Sequence, residues 1–177
     1  LAGRYVLGGD IDATATAQWN GGAGFTPIFT SGGRIKLAVP FSGTFDGLGH
    51  AVNNLTINRN ALFVSLFGQS TGHIRHVGLS GGSVTGFDST GALVGLQSGG
   101  SIRHVYSTAS VSGTQNVGGL VGRLESSGSV RHTRSSGAVS GTTNNIGGLI
   151  GFVASNSTVS NSHASGNVQA PNAFIVG

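Results

Sequence analysis

The chain has 177 residues with 33 glycines, three prolines, no cysteine and no methionine, a length that suits one ordinary domain with a packed core and a composition that excludes disulfides and thiolate chemistry. Only 8% of residues are charged while 37% are hydrophobic, too apolar a mixture for a disordered linker. Nine Lys and Arg against five Asp and Glu give a formal charge of +4, which permits a polyanionic partner without requiring one, and no run approaches the roughly 20 apolar residues of a membrane-spanning helix.

The chain opens at Leu1 with no basic leader-like region, so it reads as a mature or excised segment with any export signal outside it. Its first third is irregular: Y-V-L-G-G-D-I-D-A (Tyr5 to Ala13), the only tryptophan (Trp19) and G-F-T-P-I (Gly24 to Ile28) share no common period. The stretch Ser31 to Pro40 begins with glycines, alternates Ile35, Leu37 and Val39, and ends on proline, the pattern of an insertion loop or short hairpin.

From Ser65 a repeat takes over. S-L-F-G (Ser65 to Gly68), A-L-V-G (Ala92 to Gly95), G-L-V-G (Gly119 to Gly122) and G-L-I-G (Gly148 to Gly151) recur every 27 to 29 residues, and F-I-V-G (Phe174 to Gly177) opens one more unit. Within each unit Ile74, Ile102, Val130 and Val159 hold one apolar column, and Val84, Val111, Val139 and Val168 hold another. Glycine and β-branched residues are frequent and no 3.6-residue period persists, so helices are not expected.

Three short strands per unit, closed by Gly, Ser or Asn turns, suit one turn of a parallel coil. The expected fold is an all-β, right-handed parallel β-helix (β-solenoid) of about six coils with three short strands per coil, a rod of roughly 30 Å at a strand spacing of ~4.8 Å. Residues 1–61 are expected to form irregular amino-terminal coils with an insertion near 31–40, and residues 62–177 the regular coils of the same continuous domain. G-L-V-G carries two adjacent apolar columns, and strict alternation would expose one of them. Burial of both, through a kink at the flanking glycines, is the reading preferred over an exposed stripe.

F-S-G-T-F-D-G-L-G-H-A-V-N-N-L-T-I (Phe41 to Ile57), followed by the G-L-V-G units, resembles the GLUG-motif repeats of bacterial surface proteins. The Tyr5 to Ala13 opening and W-N-G-G-A-G-F-T-P-I (Trp19 to Ile28) are similar to filamentous-haemagglutinin-like exoproteins of Gram-negative bacteria. The resemblance implies a segment of a secreted adhesin at the bacterial cell surface, exported through an outer-membrane pore as partner. Such repeats also accompany IgA-cleaving zinc peptidases, but H-E-x-x-H is absent here, and that activity is not carried over.

Coil stacking aligns two polar columns: Arg75, Arg103 and Arg131, and beside them His76, His104 and His132. A histidine column could hold a metal or act as a pH switch, yet Asn161 takes the slot in the fourth unit, which favours a structural turn position. The arginines are expected to point outward as a solvated face and, together with Arg134, form the candidate surface for a sulfated or acidic polysaccharide or a cell-surface glycan.

A catalytic β-helix needs clustered carboxylates, and this chain has only Asp10, Asp12, Asp46, Asp88 and Glu125. Asp10 and Asp12 are read as turn and strand-end hydrogen-bonding residues, and Asp46 near His50 as part of a coil signature. With no nucleophile elbow, dinucleotide motif or P-loop, the chain is expected to be non-catalytic, with no metal, no cofactor and no nucleic-acid partner. It is expected to act as a rigid adhesin or scaffold segment. A polysaccharide-processing enzyme and a filament-forming segment, the latter by end-to-end association of uncapped coils, are the alternatives.

Overall fold

The computed structural model describes residues 2–28 and 39–171. The ladders joining its strands are all parallel, and the strands of successive repeats lie side by side in five sheets. The chain is therefore an all-β parallel β-solenoid. The insertion expected near 31–40 falls, apart from Val39 and Pro40, outside the described residues, as does the F-I-V-G run at 174–177.

One regular coil runs through strands Val94–Ser98, Ser101–Arg103, Tyr106–Ser107, Ser110–Gly113 and Gln115–Gly118. These belong to what we term the leucine, arginine, tyrosine, valine and asparagine faces. A regular coil thus has five strands, not the three expected. The extra strand Tyr106–Ser107 has two residues, too few to show alternation, and the other, Gln115–Gly118, ends two residues before the G-L-V-G leucine.

The arginine and tyrosine faces each stack six strands, whereas the leucine face has four and the asparagine face three. Complete turns number about four rather than six. The physical reason lies in the first third of the chain, where Ile28, Phe41 and Leu62 make only isolated bridges to Phe67, Ser70 and Asp88. In place of a full coil, the chain forms a 3-10 segment at Thr14–Gly22, broken at Trp19, Asn20 and Gly21 by non-helical dihedrals. The Thr16 hydroxyl ties this segment to the solenoid, donating to the Ala13 carbonyl and accepting from the Thr56 amide.

Hydrophobic burial holds the stack together. Ile74, Ile102 and Val130 have no exposed surface, and Val84, Val111 and Val139 are buried in the second column; each such side chain contributes about 1.5–3 kcal/mol when fully removed from water. Both columns of G-L-V-G are inside: Leu66, Leu93 and Leu120 are buried, and so are Phe67, Val94 and Val121. Ala92 and Leu93 form the bend between Asp88–Gly91 and Val94–Ser98, so the leucine occupies a corner and the following residue starts a new face. A corner escapes the alternation that would send one of two neighbours outward. No helix among the described residues is long and apolar enough to cross a membrane.

Candidate functional site

The three arginines of the arginine face stand in register: Arg75 pairs with Arg103, and Arg103 with Arg131. Each follows a buried aliphatic residue, Ile74, Ile102 or Val130, so strand alternation turns the guanidinium outward. The same column continues to Asp46 on one side and Ser160 on the other. Asp46 changes the character of its end: Arg75 Nε donates to Asp46 Oδ2 at 2.7 Å, and His76 Nδ1 lies 3.0 Å from Oδ1. The Leu48 amide also donates to Asp46.

Burial pushes the Asp46 carboxyl up, but the Leu48 amide, His76 and Arg75 together outweigh it and hold it below the usual carboxylate range. Arg75 is therefore already compensated. Among the described residues Arg103 and Arg131 are exposed and have no carboxylate partner. The unbalanced charge of the predicted column is concentrated on these two.

One residue further along, His76, His104 and His132 adopt the left-handed conformation, with φ of 50°, 53° and 52°, and Asn161 repeats it at 50°. This bend carries the chain from the arginine face to the tyrosine face. Each histidine amide donates to a carbonyl of the next coil: His76 to Arg103, His104 to Arg131, and His132 to Ser160. The rings stack, His76 on His104 at 5.2 Å and His104 on His132 at 5.0 Å with planes 2° apart in the second pair. Parallel rings at coil spacing do not converge on one ion, and the described residues contain no group of three or more His, Asp or Glu placed to hold a metal. Burial, followed by the charges of His132, His76 and Arg103, lowers the His104 pKa below its ordinary value.

Arg134 lies across this bend on the tyrosine face, where Tyr106, Arg134 and His163 are paired in register. Gly78 precedes them in the column, and a Cβ there would overlap the Tyr106 ring. Its absence lets the ring lie flat, and the Arg134 guanidinium sits 5.0 Å over the ring centroid, a cation–π contact. Between the histidine and tyrosine columns opens a cleft of about 390 Å³, lined by His104, Tyr106, His132, Arg134, Asn161 and His163 among others. The structure thus brings Arg134 into one cleft with the stacked histidines, flanked by Arg103 and Arg131.

Tyr106 and His163 were not singled out from sequence, although both stand four residues after the aliphatic of their unit, as Arg134 does. Column-by-column alignment would have found them. Among the described residues no acid lines the cleft. Asp10 accepts from the Ala51 amide and contacts His50, Asp12 accepts from Thr14, Asp88 accepts from Gln115 and Asn116, and Glu125 accepts from Arg123. The roles expected for Asp10 and Asp12 are those observed, whereas Asp46 turns to Arg75 and His76 and leaves His50 to Asp10. A basic, acid-free cleft of this kind can receive anions.

The fold and its repeat define the class as a parallel β-solenoid built on a 27–29-residue repeat, and comparison with known proteins finds a GLUG motif within it. The family model "The GLUG motif" matches residues 142–169. Halomucin of Haloquadratum walsbyi is 39% identical over 101 residues, covering 54% of this chain and 1% of Halomucin. A crystal structure from Bacteroides ovatus, of a protein provisionally assigned as an immunoglobulin A1 protease, superposes with a TM-score of 0.69 at 22% identity, covering 94% of this chain and 60% of that one. The structural likeness establishes the fold. The chain spans about a hundredth of the curated relative and three fifths of the solved one.

Proposed function

We propose that this chain is a rigid, non-catalytic scaffold segment of a secreted or cell-surface protein, and that its outward basic columns bind an acidic polysaccharide or cell-surface glycan. One observation carries the ligand reading: among the described residues Arg103, Arg131 and Arg134 have no carboxylate partner, while each of the five acids is already engaged elsewhere. The similarity to Halomucin and the GLUG match support the surface-scaffold reading. Rigidity follows from the stacked columns, since each coil is held by its neighbours.

The test is a glycan array at low and moderate salt. Acidic glycans are expected to bind the wild type, and the triple variant Arg103→Ala, Arg131→Ala, Arg134→Ala is expected to lose about tenfold or more, because exposed charge contacts to polyanions add and are screened by salt. Arg75→Ala changes binding less than Arg131→Ala, since Asp46 already neutralises Arg75. Binding that is equal in wild type and triple variant overturns the ligand reading. Incubation with a bound glycan is expected to release no new reducing ends; their appearance would make the chain an enzyme.

The likeness of Tyr5 to Ala13 and Trp19 to Ile28 to filamentous-haemagglutinin-like exoproteins supports export of the parent protein through an outer-membrane pore. Retention of the parent protein inside cells lacking such a pore would bear this out, and unchanged secretion would remove it. A second reading, end-to-end association, has its own observation: Val153 and Val159 are 43% and 42% exposed on the last described coil, beside a cavity also lined by Leu149, Ile150 and Ala164. Sedimentation that rises with concentration, and does so less in Val159→Lys, is expected on this reading; a monomer at all concentrations rejects it.

A further inference from the structure

We propose that the cleft bordered by His104, His132, Arg134 and His163 is an acid-strengthened subsite for a single anionic sugar group, a sulfate ester or a uronate carboxylate. The inference rests on the glycan-binding reading and adds to it where the anion sits and what controls its affinity.

The location follows from charge balance along the column. At its Asp46 end both Arg75 and His76 are committed to one carboxylate. Toward Ser160 none of the described residues lining the cleft is an acid, and its titratable lining is His104, His132, His163, Arg134 and Tyr106. Arg134 is held in place over the Tyr106 ring, so its guanidinium loses little freedom when an anion binds. Asn161 adds an uncharged polar group to the wall, and the Thr133 hydroxyl, buried behind it, is taken up by Ser162.

The acid dependence follows from stacking. His104 is packed between His76 and His132, so burial opposes its protonation first, and the charges of His132 and His76 on the adjoining coils and of Arg103, the residue before it, add to that. Across the cleft stand Tyr106, Arg134 and His163, with Arg131 flanking, and among the described residues the acid of this column, Asp46, is spent on its far end. A positive charge on His104 is therefore unfavourable in the free protein. An anion in the cleft offsets that repulsion, so its binding takes up protons and tightens as pH falls through the imidazole range.

The repeat itself supplies the variants. Asn161 occupies the histidine slot in the next coil with the same left-handed backbone, so His104→Asn with His132→Asn keeps the bend. Binding of a heparin oligosaccharide, and separately of hyaluronan, which carries carboxylates only, is measured by titration calorimetry at about pH 5.5 and about pH 7.5 at constant ionic strength, in buffers of differing ionisation heat. For at least one glycan the wild type is expected to bind about tenfold tighter at the lower pH, with net proton uptake, while the double Asn variant loses both the pH dependence and the uptake. Arg134→Ala is expected to weaken binding at both pH values. Uptake with hyaluronan assigns a carboxylate, and uptake with heparin alone assigns a sulfate.

Arginine-dependent binding that is equally strong at both pH values, or proton uptake that persists in the double Asn variant, overturns this inference and leaves the glycan-binding reading intact. Absence of binding by the wild type to either glycan at both pH values removes that reading together with this one.

Discussion

His104 pays for its position at the bend twice, in backbone and in charge. A left-handed residue other than glycine costs about 1–2 kcal/mol, less for Asn, which the short amide suits; a β-branched residue fares worst. His104→Val should therefore be about 1–2 kcal/mol less stable than His104→Asn in urea unfolding, and equal stability would mean that the bend tolerates any residue. The charge cost has a sign. Burial and then His132, His76 and Arg103 lower the His104 pKa below 6.5, so the unfolded chain holds more protons than the native one between the two values. Stability from this group is present above pH 6.5 and is lost as pH falls from there through the folded pKa. Thermal melts should show the midpoint of the wild type dropping more steeply between neutral pH and about pH 5 than that of His104→Asn. Parallel slopes would show that the ring carries no such penalty.

At the scale of the element, the corner leucine of G-L-V-G joins two faces, and its worth depends on having a coil on either side. Leu120 is fully buried between Leu93 and Leu149, while Leu149 is only partly buried. Leu120→Ala should cost about 2–5 kcal/mol, the range for a fully enclosed leucine that leaves a cavity, and Leu149→Ala less than half of that. Comparable losses would place Leu149 under a cover that the described residues do not provide. Glycine does the complementary work where backbones meet. A Cβ at Gly72 would overlap the Gly43 carbonyl oxygen, and one at Gly100 would overlap that of Gly72, so these coils stack closer than any side chain allows. The apolar columns and the 27–29-residue period were legible in the sequence because every coil must present the same residues to its neighbours. The five-strand coil was not, since Tyr106–Ser107 is too short to show alternation and Gln115–Gly118 runs straight into the G-L-V-G corner. The Asp46–Arg75 pair was also hidden. Thr44–Asp46 aligns with His73–Arg75, but T-F-D does not look like H-I-R until the strands are laid side by side.

For the whole molecule, stability in a stacked coil is close to a sum over neighbouring coils, and the outermost coil opens first. The amino-terminal side is covered by Thr14–Gly22, whereas in the last described coil strands Ile150–Val153, Thr158–Ser160, His163–Ala164 and Val168–Gln169 have a paired neighbour on one side only. Among the described residues, the buried hydroxyl oxygens of Ser157 and Ser160 also lack partners, which lowers the cost of opening there. Amide hydrogen exchange should be slowest in Val94–Gly118 and in the coil that follows, and markedly faster over 158–169. The proposed anion cleft straddles this gradient, with His104 and His132 in protected coils and Asn161 and His163 in the opening one. A ligand that needs all of them binds only the closed coil, so it must slow exchange over 158–164. At a hundredfold excess over the dissociation constant the added protection approaches about 2.7 kcal/mol. Heparin oligosaccharide that binds without slowing those amides would have to contact only the inner coils, and the cleft would then end at His132. Slowing confined to 158–164, with the inner coils unchanged, would instead show the outermost coil acting as the closing wall of the site.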